Sequence, residues 1–204
     1  TLAGTTTLNS AWQWASVNVY GTGVVSGPLP LVWRTGRLFG NLSVALGAQL
    51  QFTGDYYPIL AGPDTTTPAV LTNQGTVTWS GGYPLFAGQG ARIYNLGSWR
   101  CTADGSALDY SGGGDWMTFH NLGTFTKSAG AGETVVNSSI FNNRSVVSAS
   151  SGTLRFGASS TWESGSQIAG AGRVLMNPGN VTLAGSTTLN GSWQGDYLDG
   201  GVGT

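Results

Sequence analysis

At 204 residues the chain is long enough for one domain with a substantial core, and its 40% hydrophobic content argues against disorder. Only 8% of residues are charged, eight basic against nine acidic for a net charge of -1, which excludes the cationic footprint that nucleic acid or an anionic membrane surface requires. The single cysteine, Cys101, excludes an internal disulfide, and no apolar run reaches the ~18 residues of a membrane span.

Glycine supplies 34 positions, and Ser, Thr and Asn fill much of the remainder. Helix formers at 3.6-residue apolar spacing are absent, so the composition predicts an all-β chain of short strands and turns. The sequence has no initiator Met and no charged-then-apolar leader, and it reads as a piece of something longer.

In chain order, TLAGTTTLNSAWQ (1–13) comes first. Residues 14–70 follow, interrupted by Pro28, Pro30, Pro58 and Pro63, yet RLFGNLSVALGAQLQFTG (37–54) already alternates apolar and polar residues as a strand does. Then come five copies of one pattern: LTNQGTV (71–77), IYNLGSW (93–99), FHNLGTF (119–125), IFNNRSV (140–146) and LMNPGNV (175–181). Their asparagines, Asn73, Asn95, Asn121, Asn142 and Asn177, stand 22, 26, 21 and 35 residues apart. Self-similarity at a period of 20 to 50 residues is the mark of a solenoid, whose units bury their apolar faces only against their neighbours.

Within each copy an apolar residue two before the Asn (Leu71, Ile93, Phe119, Ile140, Leu175) and another four after it (Val77, Trp99, Phe125, Val146, Val181) flank a turn. This predicts a strand, a corner and a second strand, with those ten residues stacked in the core. Gly at Asn+2 (Gly75, Gly97, Gly123, Gly179; Arg144 departs) fits a positive φ or a close backbone approach. In-register stacking aligns the five asparagines into a ladder of amides that satisfies buried backbone at the corner. The 35-residue gap leaves room for a degenerate coil carrying SGTLRFG (151–157) and SGSQIAG (164–170), which brings the total to roughly nine coils and a rod on the order of 40 Å long.

A longer echo is also present: TLAGTTTLNSAWQ returns as TLAGSTTLNGSWQ (182–194), ten identical residues of thirteen at an offset of 181. It predicts one β-solenoid over 1–204 in which 1–181 is about one tandem unit and 182–204 begins the next. Trp12 and Trp193 are equivalent under this offset and become candidate junction residues.

The strings TTTLNSAW, LTNQGTVTWSGG, FAGQGARIYNLGSW, FHNLGTFTKSAGAGETVV, FNNRSVVSASSGTLRF and AGAGRVLMNPGNVTLAGSTTLNGSW span nearly the whole chain. In them the chain resembles the Gly/Ser/Thr/Asn-rich β-strand-repeat regions of very large bacterial surface and secreted proteins, best over Leu71 to Trp193. The resemblance implies a right-handed parallel β-helix, exported to the cell surface. It would serve there as a stalk, fibre or adhesive element with neighbouring copies, and surface carbohydrate, as its partners.

Candidates for chemistry are sparse. Asp109 and Asp115 are the only close carboxylate pair in the repeat core, Lys127 or Arg100 could be nominated as a lyase base, and Asp104, His120 and Glu133 complete the inventory. The bland reading explains them as well: Asp104, Asp109 and Asp115 lie among Gly, Ser and Ala in turns, and His120 occupies a position held elsewhere by Thr72, Tyr94, Phe141 and Met176. One His and one Cys leave no nitrogen or sulfur ligand set, and GGGDW (112–116), similar to calcium-binding nonapeptides, occurs once. The expectation is no catalytic residue, no metal and no cofactor. The rival readings are a carbohydrate-binding or polysaccharide-degrading β-helix and a phage-type fibre segment.

Overall fold

The computed structural model describes residues 1–53, 56–110, 112–137, 139–177 and 179–195, the side chain of Ser139 excepted. Within them the chain winds through nine coils of three strands each, and no helix occurs. The first three coils are β1 (Leu2–Thr7), β2 (Trp12–Trp14) and β3 (Val17–Val19); β4 (Gly21–Ser26), β5 (Pro30–Trp33) and β6 (Gly36–Leu38); β7 (Asn41–Val44), β8 (Gln49–Phe52) and β9 (Pro58–Ala61). The middle coils are β10 (Val70–Asn73), β11 (Thr76–Trp79) and β12 (Leu85–Gly88); β13 (Arg92–Asn95), β14 (Ser98–Cys101) and β15 (Gly105–Tyr110); β16 (Met117–Asn121), β17 (Thr124–Lys127) and β18 (Glu133–Val136). The last are β19 (Ser139–Asn143), β20 (Val146–Ala149) and β21 (Thr153–Phe156); β22 (Ser160–Glu163), β23 (Ser166–Ala169) and β24 (Arg173–Met176); β25 (Val181–Ala184), β26 (Thr187–Leu189) and β27 (Ser192–Gly195).

Each strand pairs in parallel with the strand one coil away, giving three nine-stranded sheets and the parallel β-solenoid that the periodicity predicts. Alternation along each strand then fixes what is inside. In the second sheet the register Leu31, Leu50, Val77, Trp99, Phe125, Val147, Ile168 forms one inward column, every member buried. Aromatic rings touch from coil to coil along the interior, from Trp14 through Trp33, Phe52, Trp99, Phe125 and Phe156 to Trp162, with centroids 5.5 to 6.2 Å apart. The prolines of the irregular first third fit this scheme, because Pro30 and Pro58 stand at the first positions of β5 and β9.

The corner between the first and second sheets carries the ladder. The Asn73 amide nitrogen donates to Asn95 Oδ1 at 2.8 Å, Asn95 to Asn121 at 2.8 Å, and Asn121 to Asn143 at 2.7 Å. The second N–H of each amide donates to a backbone carbonyl of the next corner, on Ser98, Thr124 and Val146 respectively, at 2.9 to 3.0 Å. All four side chains are fully buried. Stacked glycines complete the corner: a Cβ on Gly97 or Gly123 would lie 2.2 Å from the carbonyl oxygen of the glycine one coil below. Close approach, and not a positive φ, is what excludes a side chain there.

The ladder departs from expectation at two places. In the seventh coil Asn143, not Asn142, is the rung, so the whole copy slips by one residue. Phe141 and Val147 are the buried flanks, while Ile140 is 41% exposed and Val146 lies on the outer face. The Asn+2 position is then Ser145, and Asn142 faces outward beside His120. Asn121, Phe119 and Phe125 are already fixed in the sixth coil, and only this register places Phe141 over Phe119.

Asn177 is not a rung either. It follows β24 at the corner between the third and first sheets, and the first-sheet strand of the eighth coil places Trp162 in the ladder column. Leu175 is buried on β24 in the third sheet, and Val181 stands in an inward first-sheet column of the last coil, 38% exposed because no further coil covers it among the described residues. At the other end Val44 stands opposite Asn73, whose Oδ1 is buried without a hydrogen-bond partner among the described residues. The amide ladder therefore runs through coils four to seven.

Replacing Asn121 with Ala removes an acceptor for Asn95 and two bonds to the seventh coil, leaving buried polar groups unpaired. A loss on the order of 3 kcal/mol in denaturant unfolding is expected. Asn142→Ala, on the outer face, should stay within about 0.5 kcal/mol of the parent, and equal losses for the two variants would remove the ladder assignment.

Candidate functional site

Most of the carboxylates and cations singled out for chemistry are engaged with neighbours. Asp104, in the turn between β14 and β15, pairs with Lys127 at 2.5 Å and accepts the Gly132 N–H at 3.0 Å. Lys127 is wholly buried at the inward end of β17 and uses its remaining donors on Ala129 O at 2.9 Å and Thr134 Oγ1 at 3.0 Å. Its three N–H donors are all matched by acceptors. Glu133 is held by Arg155 at 2.8 Å, and Arg100 donates to Ser98 Oγ at 3.2 Å. Asp109 accepts from Tyr110 N at 2.8 Å and from Asn137, while Asp115 lies exposed in the turn before β16. No three His, Cys, Asp or Glu side chains converge among the described residues.

His120 stacks on Tyr94 of the preceding coil, centroids 4.8 Å apart and planes 6° from parallel, as the stacking reading of this position expects. The pair borders an outer-face cavity of about 430 Å³ with Asn142 and the Arg144–Glu163 ion pair. Burial, reinforced by Arg144 and Arg92, holds the imidazole below its usual range and favours the neutral ring.

The two ends of the rod are different in kind. In the first coil Trp12 occupies the inward column of the second sheet, packs edge-on against Trp14 at 6.3 Å, and is 44% exposed because none of the described residues covers it. Leu2, Trp14, Val17 and Val19 border a hollow of about 270 Å³ beside it. In the last coil Leu183, Leu189 and Trp193 stand in inward columns and are 62%, 55% and 41% exposed. With Trp162, Ile168 and Met176 they surround an apolar hollow of about 140 Å³. Each end thus offers apolar side chains together with an unpaired strand edge in each sheet.

The 1–13 and 182–194 strings do lie in the first and last coils, but they are threaded differently. Trp12 belongs to the second sheet and Trp193 to the third. The first string stays in the first sheet for the six residues of β1, matching β4; the second leaves it after the four of β25, matching β22, and turns at Gly185 with φ of 124°. Residues 196–204 of the expected second unit lie outside those described.

Two measurements probe the interior. The carboxyl of Asp104 is held below the usual range by Lys127 and the Gly132 N–H, so its contribution to stability is present above the ordinary carboxylate pKa and lost as pH falls through the lowered folded value. Asp104→Asn should therefore be destabilising at pH 7, with the difference from the parent shrinking below about pH 4 in paired denaturant titrations. Burial pushes the Cys101 thiol up to about 12. Disulfide-exchange labelling at pH 8 should follow global unfolding, and rapid labelling of the folded chain would contradict the packing described.

No protein-family model, no curated protein and no solved structure matches the chain, which leaves its own geometry as the basis for a functional reading.

Proposed function

We propose that this chain is a structural module of an extended extracellular fibre or stalk, in which solenoid units stack end to end, and that it is not a catalyst. The observation that carries the reading is the apolar face that the described coils present at each end: among the described residues, inward columns of the second and third sheets finish in Trp12 at one end and in Leu189 and Trp193 at the other. The thirteen-residue echo supports it, since a recurring string in the first and last coils is what a tandem unit carries at its boundaries. The two ends differ, so contact between units is head to tail, and head-to-tail contacts that do not close into a ring propagate as a filament. A cell-surface setting and an adhesive role follow from the resemblance to bacterial β-strand repeats.

The polarity of stacking gives the test. Trp12→Asp should block one end and Leu189→Asp the other. Each variant alone should remain monomeric by analytical ultracentrifugation, an equimolar mixture should stop at dimers through the two intact ends, and the parent should form longer linear species at raised concentration. A parent that stays monomeric at millimolar concentration, or a closed trimer of the phage-fibre kind, would count against the reading.

A further inference from the structure

The corners that border the third sheet carry aromatic residues outside the buried core. Tyr57 packs against Tyr83 at 4.4 Å, Tyr56 at 4.9 Å and Phe86 at 5.3 Å, which makes a continuous ring cluster across the third and fourth coils. Across the first and second coils Tyr20 lies flat on Phe39, centroids 4.7 Å apart and planes 2° from parallel. Tyr20, Tyr56, Tyr57 and Tyr83 are all exposed, which leaves large aromatic faces open to solvent.

Between the two clusters runs a groove. One cavity of about 400 Å³ is bordered by Asn18, Arg37, Phe39, Tyr57 and Ile59, and a second of about 380 Å³ continues from it over Ser16, sharing Thr35 and Tyr56. Because its walls come from successive coils, the groove runs along the rod axis. From the first coil to the third it covers two strand spacings, about 10 Å, with Tyr83 of the fourth coil packed on Tyr57 at its end.

Its charge is one-sided. The guanidinium of Arg37 sits 4.8 Å above the Phe39 ring, and its Nε is buried with no hydrogen-bond partner among the described residues. Arg34 also borders the groove, and among the described residues no Asp or Glu lines either cavity. A guanidinium held over an aromatic face at the edge of the groove is placed to receive an anionic oxygen on its outer N–H groups.

We propose that this groove binds an acidic polysaccharide, laid along the rod with sugar rings on Tyr56, Tyr57 and Tyr83 and a carboxylate or sulfate on Arg37. Sugars present apolar C–H faces and polar edges, which the mixture of exposed rings with Asn18, Thr35 and arginine complements. A nucleic acid, by contrast, needs several phosphate-neutralising cations in a row, and a chain of net charge -1 with two arginines in the groove does not supply them. This binding site is independent of the end-to-end stacking and lies on the side of the rod, where stacking leaves it open.

The test is affinity electrophoresis and titration calorimetry with polygalacturonate, alginate, hyaluronate and chondroitin sulfate, with dextran as the neutral polymer and polyglutamate as a non-sugar polyanion. At least one acidic polysaccharide should bind while dextran and polyglutamate do not, and raised salt should weaken the interaction. Arg37→Gln and Tyr57→Ala should each reduce that affinity tenfold or more, and Trp116→Ala, an exposed aromatic elsewhere, should leave it unchanged. Circular dichroism and thermal melts confirm that each variant folds. No binding to any of the four polymers, equal binding of polyglutamate, or unchanged affinity in both groove variants would overturn the proposal.

Discussion

The structure depends on one constraint, the in-register parallel pairing that places every residue directly over its equivalent about 4.8 Å away. Each position thereby becomes a column, and a side chain is acceptable only if it can neighbour its own kind. Aromatic rings, β-branched residues and Asn satisfy this condition. Charged residues do not: two like charges at that spacing repel by about 1 kcal/mol in water and about 3 kcal/mol at an effective dielectric of 20. The scarcity of charge, 8% of the chain, is therefore a consequence of the architecture, and all three described ion pairs join opposite charges on adjacent coils.

Asn is the one polar residue whose column becomes stronger by repetition. Its amide carries donors and acceptors at once, so each rung gives to the next and also bonds a backbone carbonyl at the start of the following strand. The donors all point the same way along the axis, an arrangement in which successive bonds polarise one another. Where the column changes identity, to Val44 below and Trp162 above, the ladder stops, and the unpartnered Asn73 Oδ1 marks the cost of stopping. Lys127 is a second solution to a polar residue in an inward column: it replaces the aromatic rings of earlier coils and reaches out of the corner to Asp104.

Period and alternation were enough to read the fold and three of the rungs, Asn73, Asn95 and Asn121, because those signals are repeated and each copy checks the others. The errors lie where one copy offers two answers. In FNNRS both Asn142 and Asn143 fit locally, and the choice is made by stacking Phe141 on Phe119, a contact between coils that no single copy contains. In LMNPGNV the turn chemistry is right for a corner, but three corners per coil use similar chemistry, and only the count of strands shows which corner it is. The Tyr groove was illegible for a different reason. Residues 14 to 70 break the pattern with prolines, and Tyr56 and Tyr57 become neighbours of Tyr83, Arg37 and Phe39 only after the coils are stacked.

The two threadings of the boundary string show how far neighbours override local sequence. Ten of thirteen residues are identical, yet one copy extends a six-residue strand beside β4 and the other a four-residue strand beside β22. The partner strand sets the length, and the Gly at position 4 or 185 permits either a continued strand or a turn. A string with that latitude is suited to a junction, because it can take its register from whichever coil it meets and bring its Trp into an inward column in both cases. Under the fibre reading this removes the need for a dedicated cap: what identifies a boundary is a segment whose own preferences are weak enough to be settled by the coil beside it.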